Sequence, residues 1–194
     1  MAESSLGEIG KYGCARSSQG HVKCWGYNAY GQLGLGAADD DAHPTAAQLA
    51  ALGSGVVQVA AGRDFSAALT AGGEVYLWGE NIYGQMANGE CSLYRPGTSS
   101  EQCLCDACPG QDVAAPARVA ALGTDTVQLA LGWSHALALK QGGAVFSWGR
   151  GRYGRLGRGD EDHRHPPTAH TGAGTAKASL PPQGQGANGT KGHG

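Results

Sequence analysis

The chain has 194 residues, 41% hydrophobic and 15% charged, and its 34 glycines far exceed the average usage of roughly 7%, which argues against long helices. A net charge of −2 gives no overall attraction to nucleic acid or an acidic membrane. No apolar run approaches the ~18 residues of a spanning helix, and the first residues lack the basic and apolar regions of a signal peptide, so the expectation is a soluble chain of the cytoplasm or nucleus.

A first, partial unit spans 12–36. Cys14 and Cys24 flank a turn near 17–20 and fall opposite each other if that turn centres on residue 19. Two chemistries fit the pair: a cross-strand disulfide in an oxidising compartment, or two small apolar packing residues in a reducing one. The unit ends in Trp25-Gly-Tyr-Asn-Ala-Tyr-Gly-Gln-Leu-Gly, a phrase that recurs in altered form from Trp78 and from Trp148.

The second unit, 56–89, opens on the alternating Val57-Gln-Val59 and turns at Gly72-Gly73 before its own Trp-Gly pair. It aligns without gaps on the third unit, 126–159, with 11 of 24 positions identical between 56–79 and 126–149. Period-two hydrophobicity broken by glycine pairs predicts several short strands per unit, joined by hairpins. Such a unit cannot bury both faces alone and must stack on its neighbours. The predicted fold is therefore all-β, with about two and a half such units in series.

Between the second and third units, 90–125 is an insertion holding Cys91, Cys103, Cys105 and Cys108. Four thiolates suit a tetrahedral zinc, although only Cys105 and Cys108 have the usual two-residue spacing; two disulfides or free thiols are the alternatives. The third unit is locally basic, with Arg150, Arg152, Arg155 and Arg158 around Tyr153 as candidate contacts for an anionic partner, and Asp160, Glu161 and Asp162 following as candidate neutralising charges. Residues 160–194 are rich in glycine and proline and are expected to be a disordered tail with solvated His163, His165 and His170.

The residues Val57-Gln-Val-Ala-Ala-Gly62, Ser66-Ala-Ala-Leu69 and Glu74-Val-Tyr-Leu-Trp-Gly-Glu-Asn-Ile-Tyr-Gly-Gln85, with His135 in the third unit, resemble the regulator of chromosome condensation repeat. The resemblance covers about 12–159 and implies a partial β-propeller of about two and a half four-stranded blades. It assigns Trp25, Gly26, Tyr30, Gly31, Trp78, Gly79, Tyr83, Gly84, Trp148, Gly149, Tyr153 and Gly154 to the motif that packs each blade. A light-sensing member of the family absorbs through tryptophans in Gly-Trp-Arg-His-type segments, a position held here only by Trp133, so packing is the expected role of these indoles.

The glycine phrases lack the Lys-Ser/Thr of a phosphate-binding loop and read as tight turns. No catalytic constellation is visible, and no cofactor is expected apart from the zinc alternative. The resemblance implies a non-enzymatic protein-interaction module, with nucleotide exchange on a Ran-like small GTPase, or a place in a larger ubiquitin-ligase or signalling chain, as alternatives. Self-association could complete the propeller, no membrane partner is expected, and chromatin is left open.

Overall fold

The computed structural model describes residues 3–6, 11–88 and 112–170. The short alternating runs pair as predicted, into antiparallel meanders. The first sheet holds β1 (Glu3–Leu6), β2 (Tyr12–Arg16), β3 (Val22–Asn28) and β4 (Asp39–Gln48). The second holds β5 (Val56–Ala61), β6 (Phe65–Thr70), β7 (Val75–Gly79) and β8 (Val113–Arg118). The third holds β9 (Thr126–Leu131), β10 (His135–Lys140), β11 (Val145–Gly149) and β12 (Arg164–Ala169). Within each sheet the strands pair in sequence order, so each sheet is one propeller blade.

Three blades replace the two and a half read from the sequence, because β1 and the last strands β4, β8 and β12 carry no hydrophobic alternation. β4 is almost wholly exposed, and Pro44, Pro116, Pro166 and Pro167 lie in these last strands. Proline is tolerated on a sheet edge, where a missing N–H breaks no second ladder. Two boundaries move as a result. The extra chain length falls inside the second blade, between β7 and β8, rather than between blades, and β12 takes up residues assigned to the tail.

Cys14 and Cys24 are directly opposed in the β2–β3 register, with Cα atoms 4.1 Å apart, and their sulfurs are bonded. Of the two chemistries left open by the sequence, the structure contains the disulfide.

Blades stack through the faces of their middle strands. In β6, Phe65, Ala67 and Leu69 face the third blade and join Leu129, Ala136, Ala138 and Trp148 in one apolar cluster. The alternate residue Ala68 packs on the first blade with Tyr12, Cys14, Val22 and Trp78. Covered on both faces, β6 is buried along nearly its whole length, whereas β10 alternates because among the described residues only one of its faces has a neighbouring blade.

The two fully buried tryptophans latch adjacent blades in the same way. Trp78 Nε1 donates to Gln32 O at 2.8 Å, and Trp148 Nε1 donates to Gln85 O at 2.9 Å. Trp25, in the first blade, is only half-buried. A second tie is an amide pair: Gln58 Nε2 donates to Leu129 O, and Leu129 N donates to Gln58 Oε1, both at 2.9 Å.

The glycine after each tryptophan is a backbone requirement. Gly26, Gly79 and Gly149 have φ of 107°, 108° and 92°. A Cβ on Gly79 would stand 2.5 Å from Asp64 O. Gly79→Ala is expected to destabilise the chain by about 2–3 kcal/mol, from positive-φ strain plus the steric conflict. Urea denaturation would show the loss, and an unchanged midpoint would contradict it.

Candidate interaction face

Strand alternation sends the β5–β6 and β9–β10 turns, and the connections leaving β3, β7 and β11, to one end of the blades. There each blade repeats one backbone bond. Tyr27 N donates to Lys11 O at 3.0 Å, Glu80 N to Asp64 O at 2.9 Å, and Arg150 N to Ser134 O at 2.9 Å. The frame is constant while the flanking side chains change from Lys and Tyr, to Asp and Glu, to Ser and Arg. That is the design of a surface whose chemistry is set by loops on a rigid scaffold.

In the second blade the pair is acidic and held by Arg63. Its Nε donates to the Asp64 carboxylate, and another guanidinium nitrogen lies 3.6 Å from Glu80 Oε1. Asp64 and Glu80 are 4% and 1% exposed. Gln85 Nε2 donates to Glu80 Oε2 at 3.0 Å. Burial pushes the Glu80 carboxyl up to about 7, against the downward pull of the Arg63 guanidinium. Asp112, whose carboxylate accepts from Asn81 N, is also raised by burial.

Arg63 also reaches the third blade. Its backbone N–H donates to Trp133 O at 3.2 Å, and its guanidinium stacks 5.4 Å from the centroid of the Trp133 ring. Trp133 is 46% exposed, so its indole is partly packed and partly available to a partner. The neighbouring His135 is held below its ordinary value by burial and by Arg155. Its Nδ1 is buried with no hydrogen-bond partner.

The loop after each Trp-Gly pair is built from internal clamps in two blades and not in the third. Gln32 Oε1 accepts from Tyr30 N at 3.0 Å, and Gln85 Oε1 accepts from Tyr83 N at 2.7 Å. Asn28 Oδ1 accepts from Leu33 N at 3.2 Å, and Asn81 Oδ1 from Met86 N at 3.0 Å. The matching positions of the third blade are Gly151 and Arg155. Without those clamps Tyr153 takes φ 62°, a left-handed conformation costly for a bulky residue, and stands 72% exposed.

The four arginines of the third unit divide. Arg158 turns inward and donates to Thr168 O and Ala169 O, closing the end of β12. Arg150 stacks 4.6 Å from the Tyr83 ring centroid, and Arg152 and Arg155 lie 4.8 and 5.7 Å from that of Tyr153. Two of the acidic residues that follow pair within their own segment. Asp160 and Asp162 pair with Arg164 at 2.6 and 3.5 Å. His163 and His170, expected in a solvated tail, are built into the blade: His163 Nδ1 accepts from Gly151 N at 3.1 Å, and His170 Nε2 lies 3.0 Å from Ser147 Oγ.

Cys91, Cys103, Cys105 and Cys108 lie outside the described residues. Among the described residues no group of three or more His, Cys, Asp or Glu side chains could hold a metal ion. Sequence reading did not find the Arg63–Asp64–Glu80 cluster. The signal available was a charged pair at positions that are Gly and Lys in the first unit, and Trp and Ser in the third.

Comparison with known proteins agrees with this architecture. The model of the regulator of chromosome condensation (RCC1) repeat matches residues 19–69, 72–139 and 142–179, and a second model of the same repeat matches 56–85 and 126–155. The first two repeat frames straddle neighbouring blades, 19–69 covering β3 to β6 and 72–139 covering β7 to β10. The ultraviolet-B receptor UVR8 of Arabidopsis thaliana is 34% identical over 78% of this chain and 30% of its own length. The human probable E3 ubiquitin-protein ligase HERC4 is 36% identical over 79% of this chain and 13% of its own. Among solved structures, yeast RCC1 (Prp20) in its complex with Kap60 superposes with a TM-score of 0.71 at 23% identity, over 89% of this chain and 37% of that one. Human WBSCR16 gives 0.65 at 25%, over 86% and 37%. The chain spans well under half the length of each of these proteins. With the repeat model matched across most of its residues and the blades in place, the chain belongs to the regulator of chromosome condensation (RCC1) repeat family.

Proposed function

We propose that the chain acts as a non-enzymatic protein-interaction module, binding its partner through the loop face. The observation that carries this reading is the set of arginine–aromatic pairs on that face: Arg63 with Trp133, Arg150 with Tyr83, and Arg152 and Arg155 with Tyr153. Arginine, tryptophan and tyrosine dominate binding energy at protein interfaces, because they combine large contact area with directional hydrogen bonding. Here they sit on turns held by a rigid, repeated backbone frame.

A second reading is nucleotide exchange on a small GTPase. It is favoured by the likeness to Prp20p of Saccharomyces cerevisiae, whose structure was described with its binding properties to Gsp1p and histones, and which superposes with a TM-score of 0.70 at 22% identity. Fold likeness licenses little about activity. A third is that the blades serve as the recognition part of a larger ligase, as the match confined to 13% of HERC4 suggests.

One experiment separates the first two. The purified chain is used to capture proteins from a cell extract, and each captured small GTPase is loaded with a fluorescent guanine nucleotide. Capture that depends on Trp133 and Tyr153, with unchanged nucleotide release, supports the module. Accelerated release would establish exchange, and capture indifferent to substitutions at both aromatic positions would overturn the assignment of the face.

A further inference from the structure

Independently of the loop face, we infer that the chain assembles with copies of itself head to tail. The outer face of the third blade in one copy receives the outer face of the first blade in the next.

The two closed interfaces within the chain use one set of parts. In each, a tryptophan N–H reaches a carbonyl of the preceding blade: Trp78 Nε1 to Gln32 O, and Trp148 Nε1 to Gln85 O. Each of these carbonyls lies seven residues after its own blade's tryptophan, Trp25 or Trp78. The same parts stand unused at the two ends. Arg155 is seven residues after Trp148, and its carbonyl accepts no hydrogen bond among the described residues. Trp25 is half-buried, and its Nε1 donates to nothing among them. One end of the stack thus carries an acceptor without a donor, and the other a donor without an acceptor.

A second tie repeats in the same way. Gln128 holds the register position of Gln58, whose amide brackets the Leu129 backbone of the next blade. The Gln128 amide makes no hydrogen bond among the described residues. In a second copy the backbone aligned with Leu129 is that of Ser4, which lies opposite Ala15 as Leu129 lies opposite Ala138. His135 holds the position of Tyr12, whose hydroxyl crosses to the second blade and donates to Phe65 O at 2.6 Å.

The apolar residues of the two ends are matched in size. Leu137 and Leu139 alternate with Ala136 and Ala138, which pack on the second blade, so the leucines face outward and are half-buried. Leu137 is larger than Cys14 and Ala67, its counterparts at the closed interfaces. Gly13, on the outer face of the first blade, is smaller than its counterparts Ser66 and Ala136. One end carries added volume and the other lacks it, which close packing favours as a mated pair. Residues 1–194 contain three Trp-Gly phrases, two already latched, so within this sequence the donor for Arg155 O is Trp25 of another copy. Lys23 takes the position of Tyr76 and Phe146, which puts a charge on this face and makes the contact weaker than those inside the chain. The contact is heterologous, so every assembly keeps one free end of each kind until a ring closes.

The test is sedimentation velocity of the full chain from roughly 1 to 100 µM, where the mean mass should rise with concentration above that of one chain. Leu137→Glu blocks the third-blade face and Ala15→Glu the first-blade face. Each variant alone should sediment as a single chain with the circular dichroism of the parent. Mixed in equal amounts, the two should form a dimer and nothing larger, because each supplies the face that the other has lost. Gln128→Ala removes only an amide that the folded chain leaves unpaired, and it should weaken association by about tenfold. A parent that stays a single chain throughout would overturn the proposal. So would assembly undiminished in all three variants, or a mixture of folded Leu137→Glu and Ala15→Glu that stays monomeric. None of the substituted residues belongs to the loop face, so a failure here leaves the capture through Trp133 and Tyr153 to be decided by its own experiment.

Discussion

Replacing Trp148 with alanine is expected to lower stability by about 3–5 kcal/mol, within the range for removing a fully buried aromatic. The side chain has no exposed surface, and it shares one apolar cluster with Leu69, Leu77, Met86 and Val119, which come from the second blade or the segment just after it. Truncation therefore opens a cavity between blades and leaves Gln85 O without its donor. Trp148→Phe separates the two contributions: it keeps most of the apolar contact and loses only the indole hydrogen bond, for a cost of about 1–2 kcal/mol. Trp25 carries the same motif but is half-buried, so Trp25→Ala should cost less than half as much. Guanidinium denaturation of the three variants, followed by far-ultraviolet circular dichroism, gives the comparison. Equal losses for Trp25→Ala and Trp148→Ala would mean that the latch is internal to each blade and does not join neighbours.

That comparison also shows what could be read in advance. Trp-Gly, the glycine pairs and the alternating runs specify strands through local chemistry: positive φ after each tryptophan, tight turns, and period-two burial. They were legible because each is a rule about a few adjacent residues. The last strands were not, since Asp39–Gln48 and Val113–Arg118 form by completing a neighbour's ladder and bury little of their own. A signal did exist upstream. Ala50-Ala-Leu-Gly53 and Ala120-Ala-Leu-Gly123 are identical, at the same offset as the rest of the repeat, and each forms a single-turn helix closed by a glycine at φ 60° or 61°. Extending the alignment through them would have put the inserted length before this segment, and so inside the second blade. The loop face was half legible. The four arginines stood out as a group, but only the fold shows Arg158 turned inward, Arg164 taking the acids, and Arg63 bridging two blades, because those outcomes depend on where distant strands end.

Arg63→Ala is the second large effect, and it should depend on pH. Two carboxylates, Asp64 and Glu80, are buried against this single guanidinium, so its removal strands them in a poorly solvated site at a cost of roughly 3 kcal/mol near pH 8. The sign of the pH dependence follows from Glu80. Burial raises its folded-state value from the ordinary 4.5 to about 7. The folded chain then binds more protons than the unfolded chain between those limits, and this contribution to stability is complete below pH 4.5 and is lost as pH rises through about 7. The slope is at most about 1.4 kcal/mol per pH unit for one group. Removing Arg63 takes away the charge that holds the Glu80 value down, so the falling limb should move to higher pH. Glu80→Gln should flatten the profile, since glutamine can still accept from Gln85 Nε2 but cannot titrate. In the double variant the cost of Arg63→Ala should shrink, because only Asp64 remains as an unpaired charge. Urea midpoints of the parent and the three variants, measured from pH 5 to about 8.5 across the window set by the raised Glu80 value, test this. A parent whose stability rises through that interval, with a profile unaltered by Glu80→Gln, would show that the carboxylate is ionised and solvated, and that Arg63 acts on the loop face only through Trp133.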